Sequence, residues 1–393
     1  MAALLSGCGA EANGQDPADG FVTRSEDLQQ ASNPGNDVFA REIKIAPTSG
    51  PDIFPTLDPA ICGDKQYEYL VASRDAQQRF RVLHHVEHRG SDWKIFDDDE
   101  LNPRTFNSRP ACAMLEPAQN GDSRFVLVGK GTNNRLYASV GRVPPTNFSD
   151  PYNWIPSLPT VDQDWDDLNT RTYGSGGTDP GPADPALASH EGSFGGMVLA
   201  FISGSTVYAH YHALPYAGNV WQQRVAAPPL PNGATPIGTP AITFLEGWAQ
   251  VFHVVVRAQV NGQNRLYETY FGITQNGPSF CGILCGGQSP TWTQLPITGT
   301  ISSSPALEFY SNFETLYFRR NSNLMQTSGF ATQQQLGTLP LLEVHPGNSV
   351  SYTGAPAALG GVRQEFGNHL VISRTTSDDL YLDESFGDED VMP

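Results

Sequence analysis

A basic residue ends the second predicted strand in five of six related segments of this sequence. The five residues are Arg74, Lys130, Arg257, Arg319 (or its neighbour Arg320) and Arg374. Guanidinium groups donate several hydrogen bonds in one plane, so they can bind sugar hydroxyls or a carboxylate in a bidentate manner. If the segments surround an axis, these cations form a ring of ligand-binding candidates on one face. The alternative is that each caps a hairpin or pairs with an acid of a neighbouring segment.

A second candidate is the acidic stretch around Trp165, between the second and third segments. Aromatic rings pack on the apolar faces of sugars, and Trp165 stands apart from the tryptophans that recur in the segments, so it is a ligand-binding candidate. Asp162, Asp164 and Asp166 have the spacing that begins a calcium loop. However, Asp167 replaces the expected glycine. We therefore predict no cofactor, with calcium at the three aspartates as the alternative.

No set of residues in the sequence has the spacing of a known catalytic site. Four acids are candidates for hydrolysis: Asp184, Glu191, Glu246 and Glu308. Nothing in the sequence pairs them, although glycosidases need two carboxylates, and there is neither an S-x-D-x-G-x-T-W box nor a G-x-S-x-G elbow. Two histidine pairs share strand faces without a third ligand: His84 with His88, and His210 with His212. We predict no catalytic residue and no metal ligand.

Any such residues must be positioned by the repeat, in which six segments each begin with Pro-Ala. The prolines are Pro59, Pro110, Pro185, Pro240, Pro305 and Pro356. Each is followed by stretches rich in β-branched and aromatic residues, separated by turns containing Gly, Asn, Asp or Ser. Spacings of 51 to 75 residues fit four-stranded propeller blades with loops of different length. The repeat predicts an all-β propeller with antiparallel blades.

The predicted fourth strands explain how the ring closes. Tryptophan marks this strand in four segments, at Trp93, Trp154, Trp221 and Trp292. In the fifth segment Gln333 stands where the tryptophan of the fourth strand would be expected. The sixth segment has no fourth strand of its own. Phe39 stands twenty residues before Pro59, which is the spacing of a fourth strand without the first three. We predict six blades, the last completed by a strand near Phe39, with seven blades as the alternative.

Charge and composition restrict the partners and the domain organisation. The formal net charge is −18, and no Lys/Arg cluster is present, which argues against nucleic acid or an anionic membrane surface as a partner. No apolar run is long enough to span a bilayer. We expect a flexible tether over residues 1–36, a propeller over 37–386, an acidic tail over 387–393, and a monomer.

The cysteines are consistent with export. Leu5-Ser6-Gly7-Cys8 is similar to a bacterial lipobox, in which Cys8 would be lipidated, although the usual basic and apolar regions before it are missing. Either the start of the chain is truncated or the match is a coincidence. A disulfide between Cys281 and Cys285 could close a short loop, and Cys62 and Cys112 are a second candidate pair, for which free buried thiols are the alternative. We expect an exported protein of the bacterial envelope or the extracellular space, with membrane contact only through a lipid anchor.

The repeat resembles that of PLL-like bacterial lectins and is similar to that of the six-bladed fungal-type fucose lectins. The resemblance rests on Pro-Ala, a strand ending in Val-Arg, a turn, Leu-Tyr and a tryptophan strand, and is best at residues 125–131 and 252–258. It covers residues 39–385. The third strand departs from the family, whose Leu-Trp-His is Leu-Tyr here, and PLL-like lectins have seven blades. The resemblance implies binding of fucose or related sugars in pockets between blades.

Three functions follow as hypotheses. We predict non-catalytic recognition of a glycan at sites between blades. One alternative is an exported scaffold that binds a cell-envelope protein and has no sugar site. The other is a glycoside hydrolase or sialidase-like enzyme built on the same propeller.

Overall fold

The fold is an array of six antiparallel sheets, seen in a computed structural model of the chain. It describes residues 39–45, 56–63, 68–86, 94–95, 104–115, 123–143, 160–168, 183–190, 196–213, 221, 224–245, 251–274, 277–282, 285, 289–310, 313–330, 336, 340–344, 350–360 and 369–385. A short 3-10 turn spans Pro231–Gly233. In this part of the chain no helix is long and apolar enough to cross a membrane.

The chain enters through β1 (Phe39–Ile45) and then forms one blade after another. The first blade contains β2 (Ala60–Gly63), β3 (Glu68–Arg74), β4 (Phe80–Val86) and β5 (Lys94–Ile95). The second contains β6 (Ala111–Leu115), β7 (Ser123–Lys130), β8 (Leu136–Val143) and β9 (Thr160–Asp167). The third contains β10 (Ala186–Ser189), β11 (Gly196–Ser203), β12 (Thr206–Ala213) and β13 (Val225–Ala226).

The second half of the chain repeats the arrangement. The fourth blade contains β14 (Thr235–Leu245), β15 (Val251–Val260), β16 (Gln263–Thr274), β17 (Gly277–Cys281) and β18 (Thr293–Gln294). The fifth contains β19 (Ala306–Tyr310), β20 (Phe313–Arg320), β21 (Asn323–Phe330) and β22 (Leu342–Glu343). The sixth contains β23 (Tyr352–Gly360), β24 (His369–Thr375) and β25 (Leu380–Ser385), and each blade is a separate hydrogen-bonded sheet.

The first strand of the described residues, β1, completes the last blade. β1 pairs antiparallel with β25, from Phe39 opposite Ser385 to Ile45 opposite Leu380, so the sixth sheet runs β1-β25-β24-β23. The prediction of six blades closed near Phe39 is confirmed. Closure leaves the sixth blade with four strands like its neighbours, rather than with an unpaired edge at β25.

Blades adhere because their second strands are apolar on both faces. All eight residues of β11 are buried. In β7, Val126 and Val128 pack towards the third blade, whereas Phe125 and Leu127 pack towards the first. A strand covered on both sides reads as a continuous hydrophobic run rather than as an alternating one, which is the pattern in the sequence.

The first strands of the six blades line the axis and contact one another all the way round. The residue after the proline of each Pro-Ala pair is a buried alanine: Ala60, Ala111, Ala186, Ala241, Ala306 and Ala357. Because alanine extends only one carbon from the backbone, six strands can converge here. Two cavities remain on the axis, one of about 60 Å³ where the strands begin and one of about 120 Å³ towards their other ends.

Two fourth strands differ from the prediction. In the second blade the strand is β9, which contains Trp165, so Trp154 does not mark it and Trp165 is not in a loop outside the repeat. In the fifth blade the strand is β22, about ten residues after Gln333. The connection before the fourth strand differs in length between blades. In the second and fifth blades this strand therefore begins later than the sequence interpretation predicted.

Both candidate disulfides are formed. Cys62 in β2 is bonded to Cys112 in β6, so a covalent bond joins the inner strands of the first two blades. Cys281 is bonded to Cys285 and closes a short loop in the fourth blade.

We expect the first disulfide to contribute more to stability than the second. Their sequence separations are 50 and 4 residues, and chain-entropy estimates give about 4 and about 2 kcal/mol respectively. Urea unfolding of the variants Cys62→Ala/Cys112→Ala and Cys281→Ala/Cys285→Ala would measure the two losses. Equal losses, or free thiols at Cys62 and Cys112 in the native protein, would contradict this expectation.

Candidate functional site

The predicted ring of cations lies at one end of the central channel. Each second strand is antiparallel to the first strand of its blade, so it ends where the first strand begins. We call this end the channel mouth and define it by the residue before each Pro-Ala: Asp58, Arg109, Asp184, Thr239, Ser304 and Ala355. Five cations interact electrostatically with Asp58 or Asp184 at this mouth: Arg74, Lys130, Arg257, Arg319 and Arg374.

Several of these cations bind the following blade. Arg74 in the first blade donates from Nη1 to the carbonyl of Phe106, ahead of the second blade, at 3.0 Å. Arg319 donates from Nε and Nη1 to the carbonyls of Gly354 and Tyr352, ahead of the sixth blade, at 3.2 and 3.1 Å. These contacts link blades through backbone carbonyls, whereas the alternative interpretation expected hairpin caps or acids of a neighbouring segment. Ligand binding by the ring stays a prediction.

The ring of cations continues across the junction between the sixth and first blades, which we call the seam. Arg374 in the sixth blade places Nη2 3.6 Å from Asp58 Oδ1, ahead of the first blade. Gly354, with φ of +73°, lies so close to Asp58 that a Cβ there would overlap its carboxylate. The seam is therefore held by an ion pair as well as by the pairing of β1 with β25.

The residues before Pro-Ala were not recognised as a group from the sequence. Arg109 is 7% exposed, and its backbone N–H donates to the carboxylate of Asp184. Burial raises the pKa of Asp184, and the charges of Arg109 and Lys130 oppose that rise. Their shared position immediately before the proline is the signal that could have identified them.

Four aromatic residues form a cluster between the first two blades, which we call the aromatic notch. It consists of Phe80, Phe106, Tyr137 and Trp165. Phe80 and Phe106 are stacked with ring centroids 4.0 Å apart, and Trp165 meets Phe106 edge to face at 4.6 Å. The Trp165 side chain remains partly exposed. The structure thus brings Trp165 close to the Phe106 carbonyl that Arg74 binds.

Two features shape this notch. A Cβ at Gly129 would overlap the rings of Phe80 and Phe106, so glycine in β7 is needed for the stacked pair. The guanidinium of Arg104 lies over the ring of Tyr137, 3.7 Å from its centroid, which is the geometry of a cation–π contact. The notch therefore combines apolar rings with planar donors.

Buried acids and histidines form two clusters in the fourth, fifth and sixth blades, away from the mouth. His253 places Nδ1 2.7 Å from Glu314 and Nε2 3.2 Å from Glu268, the latter without good hydrogen-bond alignment. Glu308 accepts a hydrogen bond of 2.7 Å from the Tyr317 hydroxyl and also contacts His369. Burial lowers the pKa of His253, but Glu314 and then Glu268 outweigh it and raise the pKa to about 10.

The remaining candidates can be placed in turn. His84, His210 and His212 are buried, and among the described residues no three His, Cys, Asp or Glu side chains form a metal site. Trp221 and Trp292 are buried, and the Trp292 indole donates to the Pro228 carbonyl. These candidates lie outside the described residues or side chains: Cys8, His88, Trp93, Trp154, Asp162, Asp164, Asp166, Glu191 and Glu246.

His253 gives the protein a specific pH dependence. Because its pKa rises from 6.5 in the unfolded chain to about 10 in the fold, its stabilisation is complete below pH 6.5 and is lost as the pH rises towards 10. The slope is at most about 1.4 kcal/mol per pH unit. The replacement His253→Gln should lower the free energy of unfolding at pH 6 by about 3–5 kcal/mol, since two glutamates lose their cation. Denaturant unfolding between pH 6 and 9.5 would measure both effects, and an unchanged slope in the variant would contradict them.

Gly354 should be far less tolerant of alanine than a glycine in a free turn. Gly354→Ala adds an overlap with Asp58 to the cost of positive φ, and we expect a loss of about 2–5 kcal/mol. Gly204 is the matched control, because its φ is +60° and no atom lies within 4 Å of a Cβ there. Gly204→Ala should cost only about 1–2 kcal/mol. Similar losses in thermal unfolding would show that Asp58 does not approach Gly354.

Comparison with known proteins shows the fold. No family model matches the chain, and no curated protein matches it. Among solved structures, the chain is similar to the six-bladed fucose-recognising lectin of Aleuria aurantia, with 12% identity, a TM-score of 0.53, and coverage of 85% of this chain and 95% of the lectin.

Two further structures support the same architecture. AofleA from Arthrobotrys oligospora is 10% identical, with a TM-score of 0.51 and coverage of 84% of each chain. A Trypanosoma rangeli sialidase is 11% identical with a TM-score of 0.50; the match covers 85% of this chain but only 55% of the sialidase. At such low identity these similarities concern the fold alone: this chain is a six-bladed β-propeller.

Proposed function

We propose that this protein recognises a carbohydrate without acting on it, at the aromatic notch between the first and second blades. The observation that carries the proposal is the partly exposed indole of Trp165, held edge to face against Phe106 with Arg104 and Arg74 nearby. An indole face packs on the C–H groups of a sugar ring, while guanidinium groups donate to its hydroxyls. The lectin of Aleuria aurantia, which has the same fold, recognises fucose, and this supports carbohydrate as the class of ligand.

Two of the candidate acids, Asp184 and Glu308, are poorly placed to hydrolyse one glycosidic bond together. Asp184 precedes the proline of its inner strand, whereas Glu308 stands three residues after the corresponding Pro305. Four residues of strand correspond to about 13 Å along the axis. Glycosidases hold their two carboxyl groups roughly 5–9.5 Å apart, so these two acids do not suit one glycosidic bond.

The proposal includes the location of the protein and its oligomeric state. Two disulfides support an exported protein, since such bonds persist in oxidising compartments. Cys8 would carry a lipid anchor to the bacterial envelope, and the propeller would act outside it as a monomer with a glycan as its partner. A scaffold that binds a cell-envelope protein is the alternative, and a pull-down against the envelope would reveal it.

The test is a glycan array, run with and without calcium. We expect binding to a restricted set of sugars, and we expect Trp165→Ala to weaken it about tenfold or more, or roughly 1.4 kcal/mol. Trp221→Phe is the matched control, because Trp221 is buried in the third blade and packs on His212. Thermal unfolding of both variants would separate loss of the site from loss of the fold.

Three outcomes would overturn the proposal. An array without any binding, with or without calcium, would remove the sugar site altogether. Equal weakening by the two tryptophan variants would show that the notch is not where the sugar binds. Turnover of chromogenic glycosides or sialosides would identify the protein as an enzyme.

A further inference from the structure

We propose that the channel mouth binds a small oxyanion, held by Arg109 together with Arg257 and Arg374. The carboxylate, sulfate and phosphate groups share the chemistry that this site would recognise, namely several oxygens that accept hydrogen bonds from planar guanidinium groups. The site is separate from the aromatic notch, so the inference does not rest on the proposed function.

The first observation is an imbalance of charge. Although the chain has a net charge of −18, six basic residues converge at the mouth around two carboxylates. Asp58 interacts electrostatically with Arg109, Arg257 and Arg319 and lies 3.6 Å from Arg374. One carboxylate cannot neutralise four guanidinium groups.

The other acids nearby do not restore the balance. Asp184 interacts with Arg74, Arg109 and Lys130. Asp75 is already paired with two further arginines, Arg79 and Arg81. Asp378 lies 3.1 Å from Arg374 on the outside, where its side chain is 55% exposed. The inner part of the mouth therefore keeps an excess of positive charge.

The second observation is that donor atoms at the mouth are buried without partners. Arg109 is 7% exposed, and its Nε and Nη1 make no hydrogen bond within the described part of the protein. The Nε atoms of Arg257 and Arg374 are also buried without a hydrogen-bond partner in the described part of the protein. A buried donor without a partner costs roughly 1–3 kcal/mol, and more when it is charged. An anion that accepts from these atoms would remove that cost.

The third observation is that one of these donors, Arg109, borders available space. Arg109 lines the axial cavity of about 60 Å³, together with the alanines and prolines at the start of the inner strands. A single water needs only about 10–15 Å³ of such space. A small ligand group that binds the unpartnered Nε and Nη1 of Arg109 therefore has room beside this residue.

The electrostatics of the arginines agree with this geometry. Burial lowers the pKa of Arg257, and the charge of Arg319 lowers it further. Burial also lowers the pKa of Arg319, where Asp58 opposes the effect and Arg374 adds to it. Cations that depress one another's pKa are under-neutralised, and a bound anion would reverse this effect.

The experiment is calorimetric titration of the full chain with sulfate, inorganic phosphate and glucuronate, at constant ionic strength so that screening does not change. Glucose serves as the uncharged probe. We expect saturable binding of at least one anion, with one site per chain. We expect no binding of glucose at the channel mouth. Glucuronate alone would identify a carboxylate site, and sulfate or phosphate would identify a site for tetrahedral oxyanions.

Variants locate the site and keep the test falsifiable. Arg257→Gln should weaken anion binding about tenfold or more, and Arg257→Lys, which keeps the charge, should weaken it less. Arg124→Gln is the matched control, because Arg124 lies at the opposite end of a second strand in β7. Trp165→Ala should leave anion binding unchanged, so failure of this site is distinguishable from failure of the sugar site. Absence of saturable binding, or equal weakening by Arg124→Gln, would overturn the proposal.

Discussion

Crowding at the axis is the constraint on which this propeller depends. Six inner strands meet there, and each passes the narrowest point with a proline followed by a buried alanine. Proline also holds the preceding residue in an extended conformation. The side chains before the prolines are thereby collected at one mouth, so the same dipeptide that permits convergence also assembles the charged rim.

Polar contacts between blades follow from this arrangement. Apolar packing of the second strands fills the space between blades but does not by itself specify which blade follows which. Directional bonds do so near the mouth: Arg319 reaches two carbonyls ahead of the next blade, and the Thr239 N–H donates to Ser304 of the next blade at 2.8 Å. Away from the mouth, His253 and Glu314 make the corresponding link between the fourth and fifth blades.

The sequence was sufficient for the fold and only partly for the site. Repeated Pro-Ala segments predicted six blades and the closing strand at Phe39, because a repeat exposes its own period. The sequence interpretation took Trp154, rather than Trp165, as the marker of the fourth strand in the second blade. Trp154 stands 31 residues before the next Pro-Ala at Pro185, whereas Trp165 stands 20 residues before it. The second distance agrees with those of Phe39 and Trp221 from the prolines that follow them. The position of Arg109 and Asp58 before a proline was a signal in the sequence. Their contacts and the notch were not predictable, since these depend on packing between blades that no single segment encodes.

The pairing of β1 with β25 has a consequence for the order of folding. More than 300 residues separate Ile45 from Leu380, so β1 is synthesised long before the strand with which it pairs. At typical rates of synthesis, roughly 5–20 residues per second, it waits about 15–70 s. Throughout that interval β1 lacks the strand that holds it in the sixth blade, so the ring closes only after all six blades have been synthesised.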